Sequence, residues 1–394
     1  MKKKVLLAFS GGLDTSYCAV HLTKDLGFDV IAASVNTGGF DAEEVRRLRI
    51  RALELGVSDY QLLDETENFY QNGIKYLIFG NVLKNQTYPL SVSAERVFQA
   101  VALANYANKE EVQAIAHGST GAGNDQIRFD LIFQTLCPKI EIITPIRDNS
   151  LSREEEITYL KSHGIIGDWE KATYSINQGL WGTSVGGKET LTSDQFLPED
   201  AFPSQLQKEG SEMIEITFTH GEPTGLNGQR MSPVDLIKKL NLLGGKYAIG
   251  RDIHVGDTII GIKGRVGFEA AAALMIIKAH HLLEKHTLTK QQLFIKDQLT
   301  AFYGNLMHEG QYLDPSMRNI EAFLGSSQKN VSGAVRVLLA PYRFQLLGIV
   351  SSNDLMQSKV ASYGESNSGW SAEEAKGFIK IFANQTKLYH GLDS

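Results

Sequence analysis

Two cysteines in 394 residues exclude a disulfide framework. Cys18 and Cys137 form no Cys-x-x-Cys pair and read as reduced structural thiols, which fits a cytoplasmic protein. A basic surplus is also missing. Lys and Arg number 39 against 45 Asp and Glu, a net charge of −6, with an isoelectric point near 6.0. That argues against a large nucleic-acid footprint, which needs clustered Lys and Arg. No stretch approaches the ~18 uninterrupted apolar residues of a membrane span. The run behind Lys2-Lys3-Lys4, Val5 to Phe9, is too short for a signal-peptide core and reads as a strand start. No internal repeat is visible.

What is present is ordinary for a globular protein: 42% hydrophobic and 21% charged residues, in a length suited to two or three domains. Up to about residue 165, short apolar segments alternate with helical patterns. KVLLAF, FDVIAASVN, DYQLLD, VQAIAHG and KIEIITPI read as buried strands. Between the second and third, Val45, Leu48, Ala52 and Leu55 share one helical face, with Asp41 as N-cap and Gly56 beyond the C-terminus. SAERVFQAVALANYANK predicts a more buried helix. SREEEITYLKSHG opens with a capping-box pattern, Ser152 with Glu155.

Such alternation predicts a doubly wound parallel sheet, with ligands bound beyond its C-terminal strand ends. Residues 171–210 show no clear period and read as a long irregular segment. IEITFTHGEPTGLNG, TIIGIKGRVGFE and GAVRVLLAPYRFQLLGIV are strand-like. SPVDLIKKLNLLGG, EAAAALMIIKAHHLLEKH (residues 269–286) and 289–309 are helical. The fold class is therefore α/β, with a second α+β domain and a short helical tail after the linker SYGESNSGWS. Boundaries fall at 1–168, 169–365 and 366–394.

The chemistry starts at Ser10-Gly11-Gly12-Leu13-Asp14-Thr15-Ser16. A strand, a glycine turn and a helix start together make an anion site, with free N–H groups and the helix dipole aimed at the ligand. The turn ends in neither the Gly-Lys-Ser/Thr of a Walker A loop nor Gly-x-Gly-x-x-Gly. The plainer reading is a capped turn with Asp14 as a first-turn acid. A second turn, HGSTGAGNDQIRF from His117, also follows a strand and opens a helix. Two such turns at the ends of one sheet would face one cleft, which suits a nucleotide and a polar cosubstrate.

These residues resemble a known family. Ala8 to Ser16 is similar to the pyrophosphate-loop signature of ATP pyrophosphatases, in the form used by argininosuccinate synthases. His-Gly-x-Thr-Gly-x-Gly-Asn-Asp-Gln-x-Arg-Phe from His117 resembles that family's second signature. The likeness continues through Tyr88 to Arg96, Ser175, Ser184, GRDIHVGDTIIGIKGRVGFE and GFIKI, and so spans nearly the whole chain. It implies ATP-dependent joining of citrulline and aspartate through an adenylated citrulline, in arginine biosynthesis, with magnesium carried by ATP.

The resemblance also implies the site. Ala8, Phe9, Ser10, Gly11, Gly12, Leu13, Asp14, Thr15, Ser16, Val35 and Gly118 would hold ATP. Thr120, Asn124 and Asp125 would hold aspartate. Tyr88, Ser93, Asn124, Arg128, Ser175, Ser184, Gly256 and Phe268 would surround citrulline. Ser10, Asp14 and Asp125 are the expected catalytic residues, and no protein metal cage is implied. The middle region would be a synthetase and multimerisation domain, and the tail would reach another subunit of a homotetramer.

The departures from the family pattern are specific. Ala122 stands where the family has Lys, Arg96 is flanked by Glu95 and Val97 rather than followed by Pro, Gly186 and Gly256 replace Glu, and Phe268 replaces Tyr. Two missing carboxylates and one missing hydroxyl remove partners for the α-ammonium of citrulline, and an uncompensated buried ammonium costs several kcal/mol. Either Asp257 or Glu269 substitutes, or the substrate is an N-acylated citrulline with no ammonium.

Alternatives are another pyrophosphate-loop adenylating amidoligase and a non-enzymatic nucleotide sensor. The net charge and isolated cysteines count against tRNA-modifying or sulfur-transferring relatives. His280-His281, Trp169 and Trp181 read as packing residues rather than ligands or stacking platforms.

Overall fold

The computed structural model describes residues 2–391 except 168, 170–172, 359, 361–362 and 364–368. Five parallel strands form the first sheet: β1 (Lys4–Ala8), β2 (Asp29–Asn36), β3 (Asp59–Asp64), β4 (Ala114–Ala116) and β5 (Glu141–Ile143), in the order β3-β2-β1-β4-β5. Leu6 of β1 pairs with Ile31 on one side and Ile115 on the other. Alternation along β1 feeds both faces. Leu6 enters one core with Phe98 and Phe133, while Val5 and Leu7 enter another with Cys18 and Leu48. Both faces are thus covered by helices, as near-continuous apolar parallel strands require. Strand order reverses between β1 and β4, so the turns after these two strands open onto the same side.

Local chemistry explains most helix limits. Asp41 accepts from the Glu44 N–H at 2.8 Å to start the helix Ala42–Glu54, and Gly56 follows its end with φ +90°. Ser152 and Glu155 form the reciprocal capping box of Arg153–Ser162. VQAIAHG and KIEIITPI contract to three-residue strands, the second because Pro145 opens the helical turn Pro145–Asp148.

The second half is antiparallel. One sheet runs β10-β9-β8-β13-β14, from β8 (Glu212–Thr219), β9 (Glu222–Leu226), β10 (Gln229–Arg230), β13 (Gly333–Ala340) and β14 (Arg343–Val350). The other runs β11-β12-β7-β6, from β6 (Ser175–Gly179), β7 (Gly182–Gly186), β11 (Arg251–Asp257) and β12 (Lys263–Glu269). The segment expected to be irregular therefore contains a hairpin. Its strands are too polar and glycine-rich to signal themselves, and β7 is fixed by pairing with β12, Phe268 opposite Ser184. TIIGI, expected in a strand, forms the turn between β11 and β12. There Thr258 and Ile262 bond at 2.7 Å, and Gly261 takes φ +83°.

Four helices complete this half: Pro233–Gly245, Ala271–Thr287, Lys290–His308 and Pro315–Ser327, the last without an expectation from sequence. Residues 372–391 form the helices Ala372–Phe382 and Asn384–Gly391, with Phe378, Ile379, Ile381 and Phe382 exposed. Most of the linker expected at 362–371 lies outside the described residues. Both cysteines are buried and unpaired. Trp181 is buried with Nε1 donating to the Pro89 carbonyl at 3.0 Å, and His280 is buried between Asn81 and Gln328. No helix among the described residues is long and apolar enough to cross a membrane.

Candidate active site

The turns after β1 and β4 meet the β6–β7 hairpin and the β11–β12 hairpin around one cleft of about 1520 Å³. That exceeds the ~300–1,000 Å³ typical of a single small-ligand pocket. It has room for a nucleotide and further substrates together.

The first turn is built to present N–H groups. The helix Leu13–Val20 starts from Gly12 with no side-chain cap, and its first full-turn bond runs from Ser16 N–H to the Gly12 carbonyl at 3.0 Å. The N–H groups of Leu13, Asp14 and Thr15 therefore have no backbone acceptor among the described residues. Ser10 and Thr15 hydroxyls lie 3.2 Å apart and brace the turn. Gly11 takes φ +74°, and a Cβ there would come 2.7 Å from Leu48. Ser10, Gly12, Leu13, Asp14, Thr15, Ala8, Phe9 and Val35 line the cleft. Gly11 and Ser16 do not line it, and the Ser16 hydroxyl is buried and unpartnered.

The second turn touches the first directly. A Cβ on Gly118 would lie 3.1 Å from the main-chain carbon of Asp14. Asn124 Oδ1 accepts from the Ile259 N–H at 2.9 Å and so ties the cleft to the β11–β12 turn.

Asp125 is held between two guanidinium groups, Arg96 Nε at 3.1 Å and Arg128 Nη1 at 2.8 Å. Burial pushes its carboxyl up, but Arg96 and Arg128 outweigh that and hold it below the usual carboxylate range. Arg96 also bonds Gln99 at 2.8 Å and Asn177 of β6 at 2.9 Å. Arg128 donates to the His308 carbonyl at 2.9 Å.

Sequence reasoning missed several residues here. Glu95 is buried on the cleft wall and accepts from the Thr37 hydroxyl. Its carboxylate occupies the space that any side chain at Gly179 would need, with Oε2 only 2.5 Å from a Cβ there. Burial raises its pKa against the pull of Arg96. Glu156 is buried beneath the first turn against Asp14. Burial and the Asp14 charge push it up to about 8, and burial likewise raises Asp14. His254 of β11 and His308 also line the cleft.

The expected citrulline residues Tyr88, Ser93, Arg128, Ser175, Ser184 and Gly256 line this cleft, as do Thr120, Asn124, Asp125 and Gly118. Phe268 does not reach the cleft. It is fully buried and supports Tyr88 from behind, ring centroids 5.4 Å apart. The two carboxylates considered as replacements are occupied. Asp257 pairs with Lys263 at 2.7 Å and Glu269 with Arg251 at 2.9 Å. At Gly186 the nearest atoms to an added Cβ are 4.0 Å away, so that position is open. Ala122 is exposed and brings no cation, whereas Arg153 lines the cleft beside the first turn.

Comparisons with known proteins agree with this architecture. Residues 4–166 match the family model described as the arginosuccinate synthase N-terminal HUP domain, and 174–389 match the arginosuccinate synthase C-terminal domain. A Dictyoglomus thermophilum protein named argininosuccinate synthase is 38% identical over 98% of both chains. Proteins of the same name are 35% identical in Methanocaldococcus jannaschii, over 99% of this chain and 98% of the relative, and in Lactococcus lactis, over 98% of each.

Proposed function

The chain belongs to the argininosuccinate synthase family, and from that premise we propose how its cleft performs the family's reaction and on which form of citrulline. The enzyme is an ATP-dependent ligase that joins citrulline to aspartate, in arginine biosynthesis. The ureido oxygen attacks the α-phosphorus of ATP, pyrophosphate leaves, and the aspartate amine then displaces AMP from the adenylated carbon.

Uncapped N–H groups of Leu13, Asp14 and Thr15 suit the charge that develops on departing pyrophosphate. Ala8, Phe9, Ser10, Gly12, Leu13, Asp14, Thr15, Val35 and Gly118 hold the nucleotide, with Ser10 and Asp14 at the reacting phosphates and Gly11 and Ser16 shaping the turn. Arg153 supplies a cation that Ala122 does not. Magnesium, when bound with ATP, neutralises phosphate charge. Asp14, the carboxylate of the first turn that lines the cleft, would be the side chain to face it, and no cluster of three potential ligands is present among the described residues. Thr120, Asn124 and Asp125 take aspartate. Asp125, kept ionised by Arg96 and Arg128, orients its amine. Tyr88, Ser93, Asn124, Arg128, Ser175 and Ser184 take the citrulline. Most of the remaining rate comes from positioning.

The citrulline substrate is N-acylated. One observation carries this: positions 186 and 256 are glycine, and the carboxylates that could replace their charge are engaged. Asp257 and Glu269 are ion-paired, and Glu95 accepts from the Thr37 hydroxyl with burial favouring its neutral form. Open space at Gly186 gives an acyl group somewhere to sit. Pyrophosphate release with ATP and aspartate tests the reading. N-acetyl- or N-succinylcitrulline should give the higher kcat/KM, and a clear preference for free citrulline would reject it.

The remaining features of the proposal are a division at 1–168, 169–365 and 366–394, a cytoplasmic location and a homotetramer. The exposed Phe378, Ile379, Ile381 and Phe382 support tail-mediated assembly. Sedimentation equilibrium before and after truncation at Gly369 tests it.

A further inference from the structure

We propose that His254 reads the acyl group, its Nε2–H donating to the acyl carbonyl oxygen of the substrate above Gly256. This deepens, and rests on, the N-acylcitrulline assignment.

The geometry begins at Gly256. A Cβ at that position would lie 2.6 Å from His254 Nε2, so the imidazole itself fills the place of the missing side chain. The ring is held there by stacking on Tyr88, centroids 5.1 Å apart and planes 28° apart. The residue is only 6% exposed, yet lines the cleft. Neither ring nitrogen has a hydrogen-bond partner among the described residues, and Nδ1 is sealed from solvent.

The tautomer follows from this asymmetry. Nδ1 is unpaired in either tautomer, but a buried N–H without an acceptor is the rarer defect, and an unpaired acceptor is better tolerated. The proton therefore belongs on Nε2, which faces the space over Gly256. Burial and the nearby Lys84 charge hold His254 below the usual histidine range, so the ring is neutral at pH 7.

A neutral N–H donor selects for an acceptor. The carbonyl of an N-acyl group provides one, whereas an α-ammonium carries donors only and would set donor against donor. The surrounding charges point the same way. Lys84 faces His254, and Lys84 and Arg128 both face the adjacent His308. His308 is pushed down to about 3 by burial first and then by Arg128 and Lys84. Asp257, the neighbouring carboxylate, pairs with Lys263 at 2.7 Å. The corner where an ammonium would need a counter-charge thus offers a neutral donor backed by two cations.

The test compares kcat and KM for N-acetylcitrulline, N-succinylcitrulline and citrulline in wild type, His254→Phe and His254→Gln. Phenylalanine keeps the stack on Tyr88 and removes the donor; glutamine restores an N–H. One neutral hydrogen bond corresponds to a loss of about 10-fold. His254→Phe should lose about that much kcat/KM on both N-acyl substrates relative to citrulline, mainly through KM, and His254→Gln should recover part of it. An unchanged KM for ATP shows that the variants are folded. An equal fall for all three substrates, no change, or a fall confined to the succinyl compound would overturn the assignment of His254 while leaving the acylated substrate standing. A wild-type preference for free citrulline would reject both.

Discussion

Glu156→Gln should make the protein more stable as the pH rises. Glu156 lies beneath the phosphate turn, almost fully buried, with Oε2 unpartnered and the Asp14 carboxyl beside it. In the unfolded chain the group ionises near its ordinary value of 4.5; in the fold it does so near 8. Between these values the folded chain retains a proton that the unfolded chain has released. Stabilisation from that proton is complete below pH 4.5 and is lost as the pH climbs to 8, at about 1.4 kcal/mol per unit. The whole interval sets a ceiling of about 5 kcal/mol. Solvent reaching part of the carboxyl and relaxation of Asp14 bring the expected cost to about 2 kcal/mol.

Glutamine has no charge to gain and can donate to Asp14. The variant should melt near the wild type at pH 5 and several degrees above it by pH 8.5, with the difference growing through the interval and then levelling. Thermal melts at half-unit steps from pH 5 to 9 measure this. A constant offset across that range, or a gain that grows toward acid, would refute the account of Glu156 as a carboxyl held protonated by burial and by Asp14.

Three further outcomes are expected. Gly179→Ala should cost about 1–3 kcal/mol, because its Cβ would lie 2.5 Å from Glu95 Oε2. Adding Glu95→Ala should return much of that loss, read as a coupling energy in a double-mutant cycle of melting midpoints. Asp125→Asn should lower kcat/KM for aspartate about 100-fold or more, since it leaves Arg96 and Arg128 without their shared anion. Initial rates at varied aspartate measure it. Lys296→Met should destabilise by about 3–5 kcal/mol, because Glu284, 2.6 Å away and fully buried, loses its cation. Denaturant unfolding measures that loss, and a cost below about 1 kcal/mol would show that Glu284 is neutralised by other means.

The nucleotide-binding half was legible because its signals are local. Apolar runs such as KVLLAF declare buried strands, and two glycines before a helix start declare an anion turn. The second half was read less well where pairing is distant. Ser175–Gly186 has neither apolar alternation nor a turn signature, and it becomes a hairpin only because Ser184 finds Phe268 of β12. TIIGI has the composition of a strand, yet the chain reverses there at Gly261.

The cleft around positions 186 and 256 was half legible. Gly186 and Gly256 signalled a loss, but the gain lay elsewhere. His254 fills the vacancy at 256 from two residues away, and His308 arrives from the end of a separate helix. Glu95 and Gly179 likewise make sense only as a pair, 84 positions apart, in which one residue gives up its side chain for the other. Spacing along a chain cannot show such exchanges between distant positions.

Gly118 rests on the main chain of Asp14 with no side chain between them. The two turns therefore share a boundary, not merely a cavity. If the first turn relaxes when pyrophosphate departs, the displacement passes straight into the segment that carries Thr120, Asn124 and Asp125. Departure of the first product would then serve as a timing signal for the second nucleophile, delivered by backbone contact alone.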